Sequence, residues 1–340
     1  MTVLSDPVQP VLARTRQQLL PVLTAAIDRL TGPLRHMCGY QLGLLGLDGA
    51  PTGRLEGKLL RPAFTLLCAD ATGAELDDVL PAAAAIELLH NACLVHDDVM
   101  DRDLLRRHQP TVWAHFGVGE AVLAGDALIG LAFEVLADRD HPAARAALSR
   151  LAVTLRLLGQ GQERDLRASA RAEVSVADCL ATFAGKTGSL FGCACRFGAL
   201  FAPAGPEVAE RFDRFGTDLG IAFQLADDLL DIWGDTAITG KPASDLRARR
   251  KSAPVVYALA RSAELREMYA AETEFDDEAT AAAVALIEAT GAGEWTRAEA
   301  ARRTGAAWLE LDGLPLDPVA RGELSHLAAA IMDISGAAPA

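Results

Sequence analysis

The stretch His90-Asn91-Ala92-Cys93-Leu94-Val95-His96-Asp97-Asp98-Val99-Met100-Asp101 carries an apolar run into a cluster of acids. Far along the chain, Phe223-Gln224-Leu225-Ala226-Asp227-Asp228-Leu229-Leu230-Asp231 repeats the device. Both end in Asp-Asp-x-x-Asp, and the apolar residues around them recur at helical spacing. Residues i and i+4 share one face of a helix. Asp97 and Asp101 therefore point one way, as do Asp227 and Asp231. At ~5 Å and an effective dielectric of ~20, each like-charge pair costs about 3 kcal/mol. Carboxylates inside apolar runs are also costly to desolvate. Something positive must offset these terms. Hard oxygen donors at this spacing suit Mg2+, which keeps several waters and is completed by substrate phosphates.

One copy of the pattern is weak evidence, because a chain with 27 Asp in 340 residues gives about 0.17 matches by chance. Two copies in matching contexts are stronger. Asp77-Asp78 is a built-in control: it lacks the third Asp, follows Gly73, and reads as acids favouring a helix N-terminus.

Hydrophobic residues make up 51% of the chain, mostly Ala and Leu with few aromatics, and mean hydropathy is +0.18. That composition favours helix over sheet and supplies a substantial core. The net charge of −14 argues against nonspecific nucleic-acid binding. The six cysteines show no Cys-x-x-Cys spacing and read as buried or free thiols in a reducing compartment. The N-terminus has no signal-peptide pattern, and no uncharged apolar run reaches ~18 residues. The expectation is a cytoplasmic protein without stable membrane insertion.

Breakers divide the chain into long helices, with no alternating strand pattern. Boundaries are predicted at Gly46–Gly57, Ala71–Gly73, Asp138–Pro142, Pro203–Pro206, Thr273–Glu278 and Leu311–Pro318, with a long basic loop over Gly234–Pro254. No repeat or linker appears. The reading is one all-α domain over 1–340, flexible at 1–10 and 335–340, whose facing helices bring the acidic motifs together.

Basic residues surround the acids. Arg106 and Arg107 follow the first motif. Lys58 and Arg61 lie at i and i+3 in Glu56-Gly57-Lys58-Leu59-Leu60-Arg61-Pro62. Lys186 stands alone in the apolar stretch around Gly185-Lys186-Thr187-Gly188, where a lysine needs a partner. Lys241, Arg249, Arg250 and Lys251 lie on the basic loop, where the plain reading is a solvated segment. Metal ions with Arg and Lys bind diphosphates and stabilise them as leaving groups. The cations suffice for two diphosphates, one beside the acids and one, at Lys58, Arg61 and Arg107, apart from them.

With these motifs in this order, the chain resembles the trans-polyprenyl diphosphate synthases from about Arg54 to about residue 260. The resemblance implies an all-α isoprenoid synthase bundle around a central cavity and a homodimer. It implies an allylic diphosphate held through about three Mg2+ ions. Asp97, Asp101 and Asp227 would be metal ligands, Asp98 and Asp231 further ligands or acids standing behind the ligands, and Asp228 a further metal candidate. Arg106, Lys186, Lys241 and Lys251 would hold the allylic diphosphate. Lys58, Arg61, His90 and Arg107 would hold isopentenyl diphosphate. Thr187 and Gln224 would stabilise the allylic cation with their oxygens. His90 lies seven residues before Asp97, two turns away on nearly the same face.

In this family the product grows down a tunnel beside the first motif, lined at i−4 and i−5 from its first Asp. Here these are Cys93 and Ala92, both small, with Leu89 as a deeper floor ~12 Å below Asp97. The implied product has twenty carbons or more, geranylgeranyl diphosphate first among them. The pattern departs from the family's at Ala243-Ser244-Asp245, which is one residue short, at Arg249-Arg250-Lys251-Ser252, at Glu56, and in the charges of Gln162-Glu163-Arg164-Asp165. Competing readings are a class I terpene cyclase, which needs only one diphosphate site, a farnesyl or longer-chain synthase, and a non-catalytic partner subunit, which would tend to lose an Asp motif.

Overall fold

Helices occupy almost every periodic segment of the chain. The structure, a computed structural model, describes residues 8–138, 140–171, 173–234, 244–271 and 275–333. In chain order the helices are α1 (Gln9–Ile27), α2 (Gly32–Gln41), α3 (Leu60–Thr72), α4 (Leu76–Asp101), α5 (Val112–Phe116), α6 (Val118–Ala137) and α7 (Ala144–Ala170). There follow α8 (Val176–Phe183), α9 (Ser189–Leu200) and α10 (Pro206–Trp233). The chain continues with α11 (Ser244–Arg247), α12 (Ala253–Leu259), α13 (Ala263–Ala270), α14 (Asp277–Ala289), α15 (Ala292–Leu311) and α16 (Pro318–Asp333). Among the described residues the predicted breaks fall at or between helix ends. Asp77 and Asp78 sit in the first turn of α4, where acids complement the helix dipole.

Two local departures matter. A two-residue hairpin, β1 (Leu105–Arg106) with β2 (Gln109–Pro110), follows the first motif, where no strand is predicted. Its turn residues Arg107 and His108 take φ +52° and +65°. That left-handed pair matches the strand twist, so the turn closes the hairpin without glycine but under strain. The predicted loop 234–254 contains the short helix α11, and α12 begins at its end.

Helix α9 is central to the site, because it packs against both α4 and α10 and so brings the two motif-bearing helices together. One core cluster joins α4 to α1, α2, α6 and α9, and a second joins α10 to α3, α9, α15 and α16. All six cysteines are free thiols, and all but Cys93 are buried. Helix α4 is long and apolar enough to cross a bilayer by length and composition, but 67% of its apolar window is buried inside the protein. That is how a core helix reads.

Candidate active site

Both acidic motifs occupy the C-terminal ends of their helices. Asp101 is the last residue of α4, Asp231 lies two before the end of α10, and neither helix has a basic residue in its last turn. The carbonyl end of a helix carries partial negative charge. Carboxylates placed there add to it, so local sequence and helix polarity together make a cation-seeking site.

The first and last Asp of each motif face open space; of the middle ones, Asp228 also borders it and Asp98 does not. Asp101, Asp227, Asp228 and Asp231 line a polar chamber of about 490 Å3 with Asp165, Lys186, Thr187 and Gln224. Asp97 borders an adjoining apolar chamber of about 280 Å3, lined also by Cys93, Leu94, Ile129, Leu155, Leu158 and Leu190. Lys186 and Thr187 line both chambers and mark their junction. Burial pushes the Asp97 carboxyl above its usual range, opposed by Lys186 and reinforced by Asp101. Burial raises Asp227 likewise, with Lys58 opposing and Asp231 adding. Asp227 stays open to the chamber, so its crowding is relieved by whatever cation enters.

Asp98 and Asp228, the other candidate acids, are both held by protein partners. Asp98 is 1% exposed and accepts from Arg106 Nε at 2.8 Å and Nη2 at 2.6 Å. Asp228 is 4% exposed and accepts from Gln224 Nε2 at 3.1 Å and from the Ala253 backbone N–H at 2.7 Å. Helical rotation turns Asp98, one residue on from Asp97, away from both chambers, whereas the largely buried Asp228 still borders the polar one. Arg106 turns Nε and Nη2 onto Asp98, and its charge also acts on Asp97 at the chamber's edge. Lys251 borders the polar chamber, but its ammonium donates to the carbonyls of Ala168, at 2.9 Å, and Arg171. It thereby caps the end of α7, a favourable place for a cation. Among the described residues of the loop, Arg250 reaches the acids, 3.2 Å from Asp101 Oδ2. Lys241 lies outside the described residues.

Lys186 and Thr187 sit on a π-helical turn, Ala184–Gly188, between α8 and α9. Such a turn rotates the following residues and is frequent at functional sites. Its backbone meets α7 at Gly161, where a Cβ would stand 2.5 Å from the Lys186 nitrogen. Gly161→Ala should therefore cost about 1–3 kcal/mol by overpacking, read by urea denaturation, with kcat falling because the turn is displaced. Thr187 donates to Gln224 Oε1 at 3.0 Å, and Gln224 donates on to Asp228. The chain of bonds aims the threonine oxygen at the chamber junction.

Of the second set, Arg61 and Arg107 come together with His90, whereas Lys58, expected apart from the acids, lies close enough to act on Asp227. Gly57, at φ +90°, lets the Arg107 guanidinium approach to 2.8 Å from where a Cβ would be. Arg61 Nη1 donates to His90 Nε2 at 3.2 Å, and the Arg61 guanidinium stacks 4.8 Å over Phe191. Burial, with Arg61 and Arg107 nearby, holds the His90 pKa well below its usual value, so the ring is neutral. Behind them lies Glu87, 3% exposed and bonded by Asn91. Its charge supports those of Arg61 and Arg107. Sequence reading missed Glu87, Asp165, Arg250 and Gly161. The sequence shows Arg250 only as one of the loop's cations and Asp165 only as one of the charges of Gln162-Glu163-Arg164-Asp165.

Among the described residues, no group of three or more His, Cys, Asp or Glu is close enough to hold a metal unaided. The donors present are paired carboxylates at i and i+4, the type that holds Mg2+ with one or two protein oxygens while phosphates and water complete the shell.

Residues 52–287 match the family model described as Polyprenyl synthetase. The chain belongs to this family. It is 42% identical to a (2E,6E)-farnesyl diphosphate synthase of Mycobacterium tuberculosis over 335 residues, 95% of this chain and 92% of that one. It is 41% identical to a geranylgeranyl diphosphate synthase of the same organism over 309 residues, 89% and 88% of the two chains. The crystal structure of a polyprenyl synthetase from Streptomyces coelicolor A3(2) superposes with TM-score 0.89 at 41% identity, covering 95% of this chain and 99% of that one. As a polyprenyl synthetase the chain is a prenyltransferase with an all-α fold. Isopentenyl and allylic diphosphates are the substrates the family implies.

Proposed function

We propose that the protein condenses isopentenyl diphosphate with an allylic diphosphate, head to tail and trans, to give a product of twenty or more carbons. Geranylgeranyl diphosphate is the product we favour. One observation carries the reading: two groups of cations, around Lys186 and around Arg61, flank the chamber junction, so two diphosphates are held at once. Asp97, Asp101, Asp227 and Asp231 would hold Mg2+, which when bound neutralises the allylic diphosphate as a leaving group. Lys186 adds positive charge where the leaving oxygen develops negative charge. Asp97 and Asp165 outweigh its burial and keep its pKa above the ordinary value, so it stays charged. The allylic C–O bond breaks and its electron pair leaves with diphosphate. The isopentenyl double bond supplies the pair for the new C–C bond. A proton is then lost to the released diphosphate. Thr187 and Gln224 face the cation with their oxygens, and the apolar wall excludes water that would quench it.

Incubation with Mg2+, isopentenyl diphosphate and each allylic primer tests this. An elongated diphosphate is expected. A hydrocarbon or alcohol from a preformed diphosphate would instead indicate a cyclase, and no turnover a non-catalytic subunit. The homodimer, the cytoplasmic location and the absence of stable membrane insertion belong to the same proposal. The exposed apolar face of α6, with Val122 at 40% and Leu123 at 57% exposure, supports the dimer.

Product length rests on Cys93, a small residue on the apolar chamber's wall. Ala92 and Leu89 of α4 are not on that wall; both are fully buried in the core. Of the two tunnel candidates at i−4 and i−5, only Cys93 lines the chamber with Asp97. Cys93→Phe should shorten the product by at least one isoprene unit on chromatography, and an unchanged profile rejects the assignment. Ala92→Phe should overpack the core, costing about 1–3 kcal/mol.

A further inference from the structure

Asp165 belongs to neither acidic motif, yet it faces the polar chamber from α7. Its Oδ2 accepts from Lys186 Nζ at 2.8 Å, while the same ammonium stands 3.8 Å from Asp97 Oδ2. One cation is thus divided unequally between two carboxylates, and the nearer lies outside the motif. The arrangement is braced from behind. Gly161, one turn earlier on the same face of α7, abuts the main chain of Lys186. Helix α7 therefore fixes both the backbone of the lysine and the resting place of its head group.

Exposure decides what this does. Side-chain exposure is 19% for Asp97, 29% for Lys186 and 48% for Asp165. Asp97 is the drier carboxylate, so at equal distance it would be the stronger partner. A lysine seated on Asp97 would occupy the carboxylate that a cation accompanying the diphosphate requires. We propose that Asp165 is a positioning residue that holds Lys186 off Asp97 and keeps Asp97 open. The proposal rests on the chain-elongation reading. A half-exposed pair is worth about 1 kcal/mol or less, weak enough for an arriving diphosphate to draw the ammonium away. Asp165 thus parks the lysine without trapping it.

The test is Mn2+ binding followed by electron paramagnetic resonance, with an unreactive allylic diphosphate analogue present. The proteins are wild type, Asp165→Asn, Asp165→Glu, Lys186→Met and the Asp165→Asn, Lys186→Met double variant. Asp165→Asn should bind Mn2+ roughly fivefold more weakly, the size of one half-exposed ion pair. Asp165→Glu should restore most of the affinity. In the Lys186→Met background Asp165→Asn should have no further effect, because no ammonium remains to close on Asp97. In turnover, Asp165→Asn should raise KM for the allylic substrate and leave KM for isopentenyl diphosphate unchanged. The proposal is overturned by unchanged Mn2+ affinity in Asp165→Asn, or by the same drop without the lysine. It is also overturned if both KM values move together with a fall in Tm, the mark of a merely structural role. Failure of the wild type to elongate would sink the functional reading, while the binding comparison, which needs no turnover, would still decide the role of Asp165.

Discussion

Asp97→Asn should lower kcat/KM by about 10²–10³-fold while leaving the protein no less stable. The kinetic loss is that of one preorganised electrostatic contact to a leaving group. Asn keeps the shape and one oxygen but not the charge that holds a hard cation. The stability effect has the opposite sign. Burial raises the pKa of Asp97 in the folded protein above its unfolded value, so the ionised carboxylate is a destabilising element of the cation-free enzyme. The penalty is full above the folded pKa, fades as pH falls through it, and vanishes below the unfolded value. Without divalent cation, the variant should melt above wild type near neutral pH, and the gap should close on acidification. Thermal melts across pH, with and without Mg2+, check both halves. A variant less stable than wild type at neutral pH would show that Asp97 is structural. Activity at the cost of stability is the usual bargain of such sites.

The fold was legible because helical periodicity and breakers are local signals. Pro206, Gly73 and Pro318 mark helix boundaries whatever the tertiary context. The site was legible in kind but not in orientation. Which Asp of each trio faces the chamber depends on the buried side of the helix, and that signal was present in the sequence. Asp98 shares its face with Val95 and Asn91, both buried, and Asp228 shares its face with Leu225 and Ile221, also buried. The π turn left no such trace: an extra residue in a helical turn alters no composition and no spacing of apolar residues. The loop cations were the least legible. Arg249, Arg250 and Lys251 are chemically alike, and only backbone direction decides their fates. Arg249 stacks on Tyr269 and Phe275, Arg250 reaches Asp101, and Lys251 caps α7.

Asp98→Ala should cost about 3 kcal/mol of stability, far more than the loss of a chamber-facing acid. Asp98 is 1% exposed and Arg106 30%, so removing the carboxylate strands a largely buried guanidinium. The pair also ties the end of α4 to the strained hairpin that carries Arg107. Breaking it frees the turn at Arg107 and His108 to relax from its left-handed conformation. KM for isopentenyl diphosphate should therefore rise through Arg107, although Asp98 faces neither chamber. A metal-ligand role predicts the reverse pattern: activity lost, stability kept, and Asp98→Asn behaving like Asp97→Asn. Removing both partners separates the cases further. An Asp98→Leu, Arg106→Leu double variant should recover much of the stability, because two apolar groups replace a buried pair at little net cost. Urea titrations of the single and double variants, set beside the two KM values, distinguish a buttress from a ligand.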